Sequence, residues 1–161
     1  MKRQNPDSQL TIDTYVGSAS DDNFFDIQGL SNHVDAFVIM GYDIHTPNGD
    51  PGPVSPLEGD ASLSGYLQSY LSRTSPNKII LALPYYGYDW PVNPNPTIDK
   101  KAQTKILPYA IIAATNKNAN IQWNKTSQTP YYQYTDAVGN ARVVHFDNAR
   151  SMGLKYDMIK T

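Results

Sequence analysis

The sequence has no cysteine, three histidines and a single glutamate among its 161 residues. Without cysteine the chain can form no disulfide framework and supports no thiolate chemistry. The histidines, His33, His45 and His145, are scattered along the chain, which argues against a metal site built from histidine. No motif predicts a metal or another cofactor.

Long runs of one charge and long apolar runs are also missing. There are 13 basic and 15 acidic residues, and the only basic runs are Lys2-Arg3 and Lys100-Lys101. This is too little positive charge for a nucleic-acid surface, so nucleic acid is excluded as a partner. No apolar run approaches the roughly 20 residues that cross a bilayer, and the first residues lead into no signal-type segment. The sequence therefore predicts no membrane span and shows no targeting segment.

What the chain does contain is an apolar stretch that runs from Val34 to Asp43. It has the length of a strand, is rich in β-branched and aromatic residues, and ends in Tyr42 and Asp43. A continuous apolar run predicts a strand buried on both faces, as in a parallel sheet covered by helices. In α/β barrels the carboxyl ends of the strands carry the chemistry, so Tyr42 and Asp43 are candidate site residues. The alternative is that Tyr42 caps a core and Asp43 caps the following turn.

The flanking segments extend this strand into a βαβ unit. Residues Gln9–Val16 alternate well enough to predict a strand, and Lys78–Pro84 form a second continuous apolar strand. Between the two apolar strands lie a Pro- and Gly-rich surface loop, Ile44–Asp60, and then a helix. The helix is predicted because apolar residues recur at helical spacing: Leu63, Tyr66, Leu67, Tyr70 and Leu71. A strand, a helix and a strand in succession predict an α/β fold with a parallel sheet.

The composition changes after Trp90, where a Pro- and Asn-rich linker begins. A helix is predicted from near Pro108 to about Thr115, and three short antiparallel strands follow it. These strands are Ile121–Trp123, Tyr131–Thr135 and Ala141–Phe146, and a last helix is predicted from about Asn148. The predicted division is therefore 1–91 for the α/β part, 92–146 for a small α+β insertion, and 147–161 for the helix after it.

Four ordered motifs resemble glycoside hydrolase family 18, the chitinases and related N-acetylglucosaminidases. They are Met40-Gly41-Tyr42-Asp43, Gly52-Pro53-Val54-Ser55-Pro56-Leu57, Leu83-Pro84-Tyr85-Tyr86-Gly87-Tyr88-Asp89-Trp90, and Gln128 to Tyr134 together with Phe146 to Tyr156. The resemblance is closest to bacterial members, including those that act on spore or cell-wall peptidoglycan. It implies a partial TIM (β/α)8 barrel, with strands that resemble five to seven of the eight. Strands one to four and the eighth are missing, so we expect the carboxy-terminal part of a catalytic domain, truncated at both ends.

The resemblance also implies which part of the chemistry is missing. The general acid of the family lies in an Asp-x-x-Asp-x-Asp-x-Glu motif, which this chain does not contain. Its only glutamate, Glu58, lies in the Pro- and Gly-rich loop, where an ordinary solvated acid is the simpler interpretation. We therefore expect the isolated segment to be inactive.

The family hydrolyses β-1,4 links by a substrate-assisted retaining mechanism, and this implies roles for the matching residues. Tyr42 would donate a hydrogen bond to the acetamido oxygen of the sugar, Asp43 would bind the sugar or the surroundings of the acid, and Met40 would line the pocket. Tyr86 and Trp90 are either sugar platforms beside the cleft or packing residues at the top of the barrel. Tyr88 stands where many chitinases have an arginine, and Asp89 is expected to be structural.

Other interpretations of the same sequence remain open. The chain is either part of an enzyme that cleaves chitin or peptidoglycan, or a lectin-like relative that binds sugar without catalysis. Twelve tyrosines and two tryptophans suit a sugar-binding cleft, although such rings are common in cores as well. A third possibility is that three parallel strands with unpaired edges do not fold stably without the remainder of the barrel. By family habit the protein is expected to be secreted or associated with the cell wall.

Overall fold

The computed structural model describes residues 5, 7–20, 25–92, 103–115, 119–137 and 139–160. The chain divides into two compact units, one made of Met1–Gly41 and Gly65–Leu83 and the other of Tyr42–Ser64 and Pro84–Thr161. Both units combine helices with a β-sheet. The predicted mixed α/β class is therefore confirmed.

The first unit is built on a three-stranded parallel sheet in the order β1-β2-β3. Its strands are β1 (Thr11–Tyr15), β2 (Ala36–Met40) and β3 (Ile79–Ala82). Along the chain, helix α1 (Ile27–Ser31) lies between β1 and β2, and helix α2 (Leu63–Leu71) precedes β3. The part of α2 from Gly65 onward belongs to this unit. Phe37 and Ile39 of β2 are fully buried and pack with Ile27 and Tyr70. The parallel βαβ arrangement is the one that the two apolar runs predict.

The buried hydroxyl of Tyr70 links helix α2 to the sheet of the first unit. The Tyr70 hydroxyl donates to Thr14 Oγ1 at 2.7 Å and also lies 2.8 Å from the backbone oxygen of Tyr15. Burial raises the pKa of Tyr70, so the phenol keeps its proton and remains a donor. This bond fixes the position of α2 on β1.

The second unit contains a five-stranded antiparallel sheet in the order β5-β4-β8-β7-β6. The strands are β4 (Tyr86–Pro91), β5 (Lys105–Pro108), β6 (Gln122–Asn124), β7 (Thr129–Thr135) and β8 (Ala141–His145), with helix α3 (Tyr109–Thr115) after β5 and helix α4 (Ala149–Lys160) at the end. Gly87 lets β4 approach β8 closely, because a Cβ at this position would lie 2.4 Å from the backbone oxygen of His145. Trp90 and Val143 pack in one core cluster, and Val144 and Phe146 in another.

The final helix has a well-defined start. Asn148 Oδ1 accepts hydrogen bonds from the backbone N–H groups of Arg150 and Ser151, and the Asn148 N–H donates to Ser151 Oγ at 2.9 Å. These reciprocal bonds satisfy donors that a helix start leaves unpaired. One turn later, Lys155 is fully buried and pairs with Asp147. The predicted helix begins where expected, but its buried face includes a lysine that the apolar pattern does not predict.

The structure has strands where the sequence predicts them, and two more. The sequence predicts Tyr85–Trp90 as the aromatic and polar end of the Lys78–Pro84 strand. In the structure, Tyr86–Pro91 instead form β4, a separate strand of the antiparallel sheet, and β5 is a further strand that the sequence does not predict. Within the described residues neither sheet closes on itself. The predicted linker covers 91–96, but Pro91 is the last residue of β4, so the prediction is wrong there, and 93–96 lie outside the described residues. The predicted boundaries at 91/92 and 146/147 stay predictions. Over the part of the chain that the structure describes, no helix is long and apolar enough to cross a membrane.

Candidate active site

Asp43, three residues beyond the end of β2, is held by two phenols from β4. The hydroxyls of Tyr86 and Tyr88 both donate to the same carboxylate oxygen, Asp43 Oδ1, and the Tyr88 bond measures 2.6 Å. Tyr86 and Tyr88 reach the same atom because alternate residues of a strand point to the same face of a sheet. The Asp43 side chain is exposed, and no described residue bonds to its Oδ2. The sequence predicts Asp43 and Tyr86 as site residues, and the structure brings them into direct contact.

The backbone at Asp43 is unusual, because its φ angle is 56°. This left-handed conformation is uncommon outside glycine, although aspartate tolerates it better than most residues. Such a conformation persists only where the surroundings impose it, and it occurs often at functional sites. Here the surroundings include the two phenols and the bond from the Ile44 N–H to the Val54 oxygen at 3.1 Å.

Tyr42 stands next to the Asp43 contacts. Its ring meets the Tyr86 ring edge-on, with centroids 6.3 Å apart, and it is half-buried against the cluster of Val54, Tyr88 and Trp90. Its hydroxyl makes no hydrogen bond to the described residues, so it is available as a donor. The Tyr42 ring and the Asp43 carboxylate therefore both contact Tyr86.

The phenols that hold Asp43 stay protonated. The pKa of Tyr88 is raised to about 12, first by burial and then by the negative charge of Asp43, and the same causes raise the pKa of Tyr86 further. Loss of either proton would place a phenolate beside the carboxylate, which is electrostatically unfavourable. Both bonds are therefore donated by neutral groups throughout the physiological pH range.

The loop that begins after Asp43 folds back on itself. His45 Nδ1 lies 2.9 Å from the oxygen of Pro53, and the His45 ring fills the space where a side chain at Gly52 would lie. His145 of β8 is enclosed in the same unit, where its ring stacks on Tyr131. Burial, and secondarily the charge of His45, lower the pKa of His145 to about 4. His145 is therefore neutral at physiological pH, and no observation places it at the candidate site.

The other predicted site residues are placed differently. Trp90 has no exposed surface, since its ring contacts Tyr88 at 5.3 Å and His145 at 5.9 Å between centroids. This burial matches the packing alternative and not a sugar platform, because a ring with no exposed surface cannot contact a sugar. Met40 is the last residue of β2 and is partly exposed within the first unit. Its predicted role in the pocket stays a prediction.

Asp89 belongs to a buried ion pair and not to the exposed site. Its Oδ1 accepts from Arg142 Nε at 2.8 Å and its Oδ2 from the Tyr134 hydroxyl at 2.8 Å. Only 2% of Asp89 and 3% of Arg142 is exposed. The expected structural role of Asp89 therefore fits its surroundings.

Tyr88 is the contact residue that the sequence analysis did not select. Its ring is buried and its hydroxyl binds Asp43, so it acts on the site through that carboxylate. A signal was present in the sequence, because Tyr86 and Tyr88 are two apart and would share a face if the segment were a strand. The segment was not predicted as a separate strand, so the signal was missed.

Among the described residues, no group of three or more His, Asp or Glu could hold a metal ion.

The family can now be identified by comparison with known proteins. Residues 2–161 match the family model described as glycosyl hydrolases family 18. The chain belongs to family 18 of the glycosyl hydrolases. This match confirms the resemblance to family 18 that the four sequence motifs carry.

Three proteins show what this family 18 chain is similar to. The cortical fragment-lytic enzyme of Bacillus subtilis is 34% identical over 127 residues, which cover 79% of this chain and 28% of that enzyme. Di-N-acetylchitobiase of Mus musculus is 26% identical over 99% of this chain and 48% of that protein. The crystal structure of a chitinase from Chromobacterium violaceum superposes with a TM-score of 0.80 at 26% identity, over 98% of this chain and 48% of that one. The chain thus spans less than half the length of these relatives.

Proposed function

We propose that this family 18 chain is part of the catalytic domain of a glycosidase that hydrolyses β-1,4 bonds next to N-acetylglucosamine. The observation that carries the proposal is the arrangement around Asp43. An exposed carboxylate in a left-handed backbone conformation is fixed by two phenols, and the Tyr42 ring packs against one of them. No described residue bonds to the Tyr42 hydroxyl, and such a donor together with a fixed acceptor suits a substrate that carries both an amide and several hydroxyl groups.

The proposed mechanism is substrate-assisted and retaining. The acetamido oxygen of the substrate attacks the anomeric carbon, the bond to the leaving oxygen breaks, and that oxygen takes a proton from a general acid. Water then attacks the anomeric carbon of the oxazolinium ion and releases the acetamido oxygen, while its proton returns to the conjugate base of the acid. In this scheme Tyr42 donates to the acetamido oxygen, and the charge of Asp43 stabilises the cation that develops.

The general acid of this proposal does not come from these 161 residues. Glu58 is exposed and accepts a bond from Ser64 Oγ at 2.8 Å, and Asp89 is buried in its pair with Arg142. Neither suits a proton donor at the site around Asp43. We therefore place the chain in a partial (β/α)8 barrel with strands equivalent to five to seven, and the remainder of the barrel would supply the acid.

A chimaera tests this proposal. Residues 2–161 would replace the matching part of the Chromobacterium violaceum chitinase, which keeps its own remaining strands. We expect the chimaera to release the chromophore from a chitobioside. Asp43→Asn and Tyr42→Phe should each lower kcat by about 100-fold or more, as loss of a group that stabilises charge in the transition state does. The isolated chain should release none.

The control for these variants is Tyr85→Phe. Tyr85 is exposed and its hydroxyl pairs with that of Tyr156 at 2.9 Å, so its removal should leave kcat unchanged. A folded chimaera whose Asp43→Asn variant retains the parent rate would contradict the proposal. Circular dichroism and a cooperative melt establish that each variant is folded.

The substrate polymer and the location belong to the same proposal. Chitin and peptidoglycan both contain N-acetylglucosamine, and the relatives include a chitinase and a cortical fragment-lytic enzyme. Digestion of both polymers by the chimaera, with mass analysis of the products, distinguishes them. Because such polymers lie outside the cytoplasm, we propose a secreted or wall-associated protein, which immunodetection in the medium, the wall fraction and the lysate would check.

A lectin-like role is the second candidate. The observation in its favour is that the single glutamate of the chain lies in a loop, bonded to Ser64, and not at the site. If this role is correct, the isolated chain binds chitooligosaccharides, as measured by calorimetry, whereas the folded chimaera remains inactive.

A further inference from the structure

The second unit contains two carboxylates that are held in opposite ways. Asp89 is buried and faces the guanidinium of Arg142 as well as the Tyr134 hydroxyl. Among the described residues, Asp43 is held by the hydroxyls of Tyr86 and Tyr88. The ion pairs within the described residues join Arg142, Lys155 and Lys160 to other carboxylates, and none of them reaches Asp43. Asp43 therefore has no cationic partner in the part of the chain that the structure describes.

We propose that Tyr88 is a positioning and specificity-determining residue, which fixes the Asp43 carboxylate, a group with no cationic partner among the described residues, so that the site prefers neutral and cationic amino sugars to anionic ones. The inference rests on the proposed function, because it names the substrate class of the same site. Only 3% of Tyr88 is exposed, so it acts on the sugar through Asp43.

The geometry fixes one carboxylate oxygen and leaves the other free. Both phenols donate to Asp43 Oδ1, and the Tyr88 ring is held between those of Tyr86 and Trp90, at centroid distances of 5.5 and 5.3 Å. No described residue bonds to Asp43 Oδ2, so this oxygen can accept bonds from a ligand, since a carboxylate accepts on both oxygens. A sugar hydroxyl, an amide N–H or an ammonium group can donate to it, whereas another carboxylate cannot.

The charge of the site follows from the same contacts. Because burial and Asp43 raise the pKa of Tyr88 to about 12, the phenols contribute no charge of either sign at neutral pH. A ligand carboxylate near Asp43 meets like-charge repulsion, and an ammonium group meets attraction. At an exposed site we expect a difference of about ten-fold in Kd between a neutral and an anionic ligand. Salt should reduce this difference, because ions screen exposed charges.

The test measures the Kd of the 161-residue chain by calorimetry for three saccharides of matched length. They are a chitooligosaccharide, its partly de-N-acetylated cationic form, and an oligosaccharide that carries the free lactyl carboxylate of muramic acid. We expect the anionic ligand to bind about ten-fold more weakly than the neutral one and the cationic ligand to bind more tightly. Both differences should shrink between about 20 mM and about 500 mM NaCl. Asp43→Asn should remove them.

Two phenylalanine variants test the role of Tyr88. Tyr88→Phe keeps the packed ring but removes one of the two bonds to Asp43, and we expect the Kd for the neutral ligand to rise about five-fold or more. Tyr134→Phe is the matched control, since it removes a phenol that donates to the other carboxylate, Asp89, and it should leave the Kd unchanged. NMR titration of Tyr88 in the Asp43→Asn variant should show its pKa falling below about 12, while burial, the larger cause, still holds it above the ordinary tyrosine value.

The outcomes separate this inference from the proposed function. Equal affinity for all three saccharides, or an unchanged Kd in Tyr88→Phe, would overturn the inference while saccharide binding itself stands. If no saccharide binds the chain and the folded chimaera is inactive, the proposed function fails and the inference fails with it.

Discussion

The buried pair of Arg142 and Asp89 offers a sharp test of the structural role assigned to Asp89. In Arg142→Met the carboxylate would stay buried with only the Tyr134 hydroxyl as a partner. The variant also removes the bonds from Arg142 Nη2 to the backbone oxygens of Asp89, at 2.9 Å, and Gln103, at 3.3 Å. We therefore expect a large loss of stability in the second unit.

The size of the loss follows from the burial of both partners. Breaking a buried ion pair by removing one partner costs about 3 to 5 kcal/mol, because the other charge is left without compensation. For a chain of this size such a loss lowers Tm by roughly 10 °C or more. Tryptophan fluorescence is a suitable probe, since both tryptophans of the chain, Trp90 and Trp123, belong to the second unit.

Two comparison variants complete the experiment. Lys160→Met breaks an ion pair with Asp157 whose side chains are each 74% exposed, so it should change the unfolding free energy by less than about 0.5 kcal/mol. The double variant Arg142→Met with Asp89→Leu removes both buried charges and should recover much of the stability. If Arg142→Met costs no more than Lys160→Met, the argument from burial is refuted.

Two further predictions concern the same sheet. Gly87→Ala should destabilise the second unit by about 1 to 3 kcal/mol in urea titrations, because the added Cβ would lie 2.4 Å from the backbone oxygen of His145. Gly153→Ala is the control in the same titrations, since a Cβ at Gly153 would meet no atom within 4 Å. Burial lowers the pKa of His145 from 6.5 to about 4 in the folded chain. Between these two pH values the unfolded state therefore binds more protons than the folded state. The free energy of unfolding should fall by about 3 kcal/mol as the pH drops from about 6.5 to about 4. His145→Gln should flatten this pH dependence, and an unchanged slope would show that another group causes it.

Much of the fold was predictable because burial leaves a direct mark on the sequence. The apolar runs around Phe37 and Ile80 predict two parallel strands, and the helical spacing around Leu67 predicts the helix between them. By contrast, β4 was missed because Tyr86–Pro91 mixes aromatic, charged and glycine residues and has no clear period. Lys155 was missed for a related reason, since a lysine is buried only where tertiary structure supplies a partner such as Asp147.

The sequence alone determined that Tyr42 and Asp43 follow a buried strand, because the change from apolar to polar residues is local. It also determined the family, since the motifs that carry the resemblance are contiguous. Tertiary structure alone decided which side chains hold Asp43, because the hydroxyls of Tyr86 and Tyr88 come from 43 and 45 residues away. It also decided that Trp90 is fully buried while Asp43 is exposed. Burial and hydrogen bonding depend on which strands pair, and that pairing is a property of the folded chain.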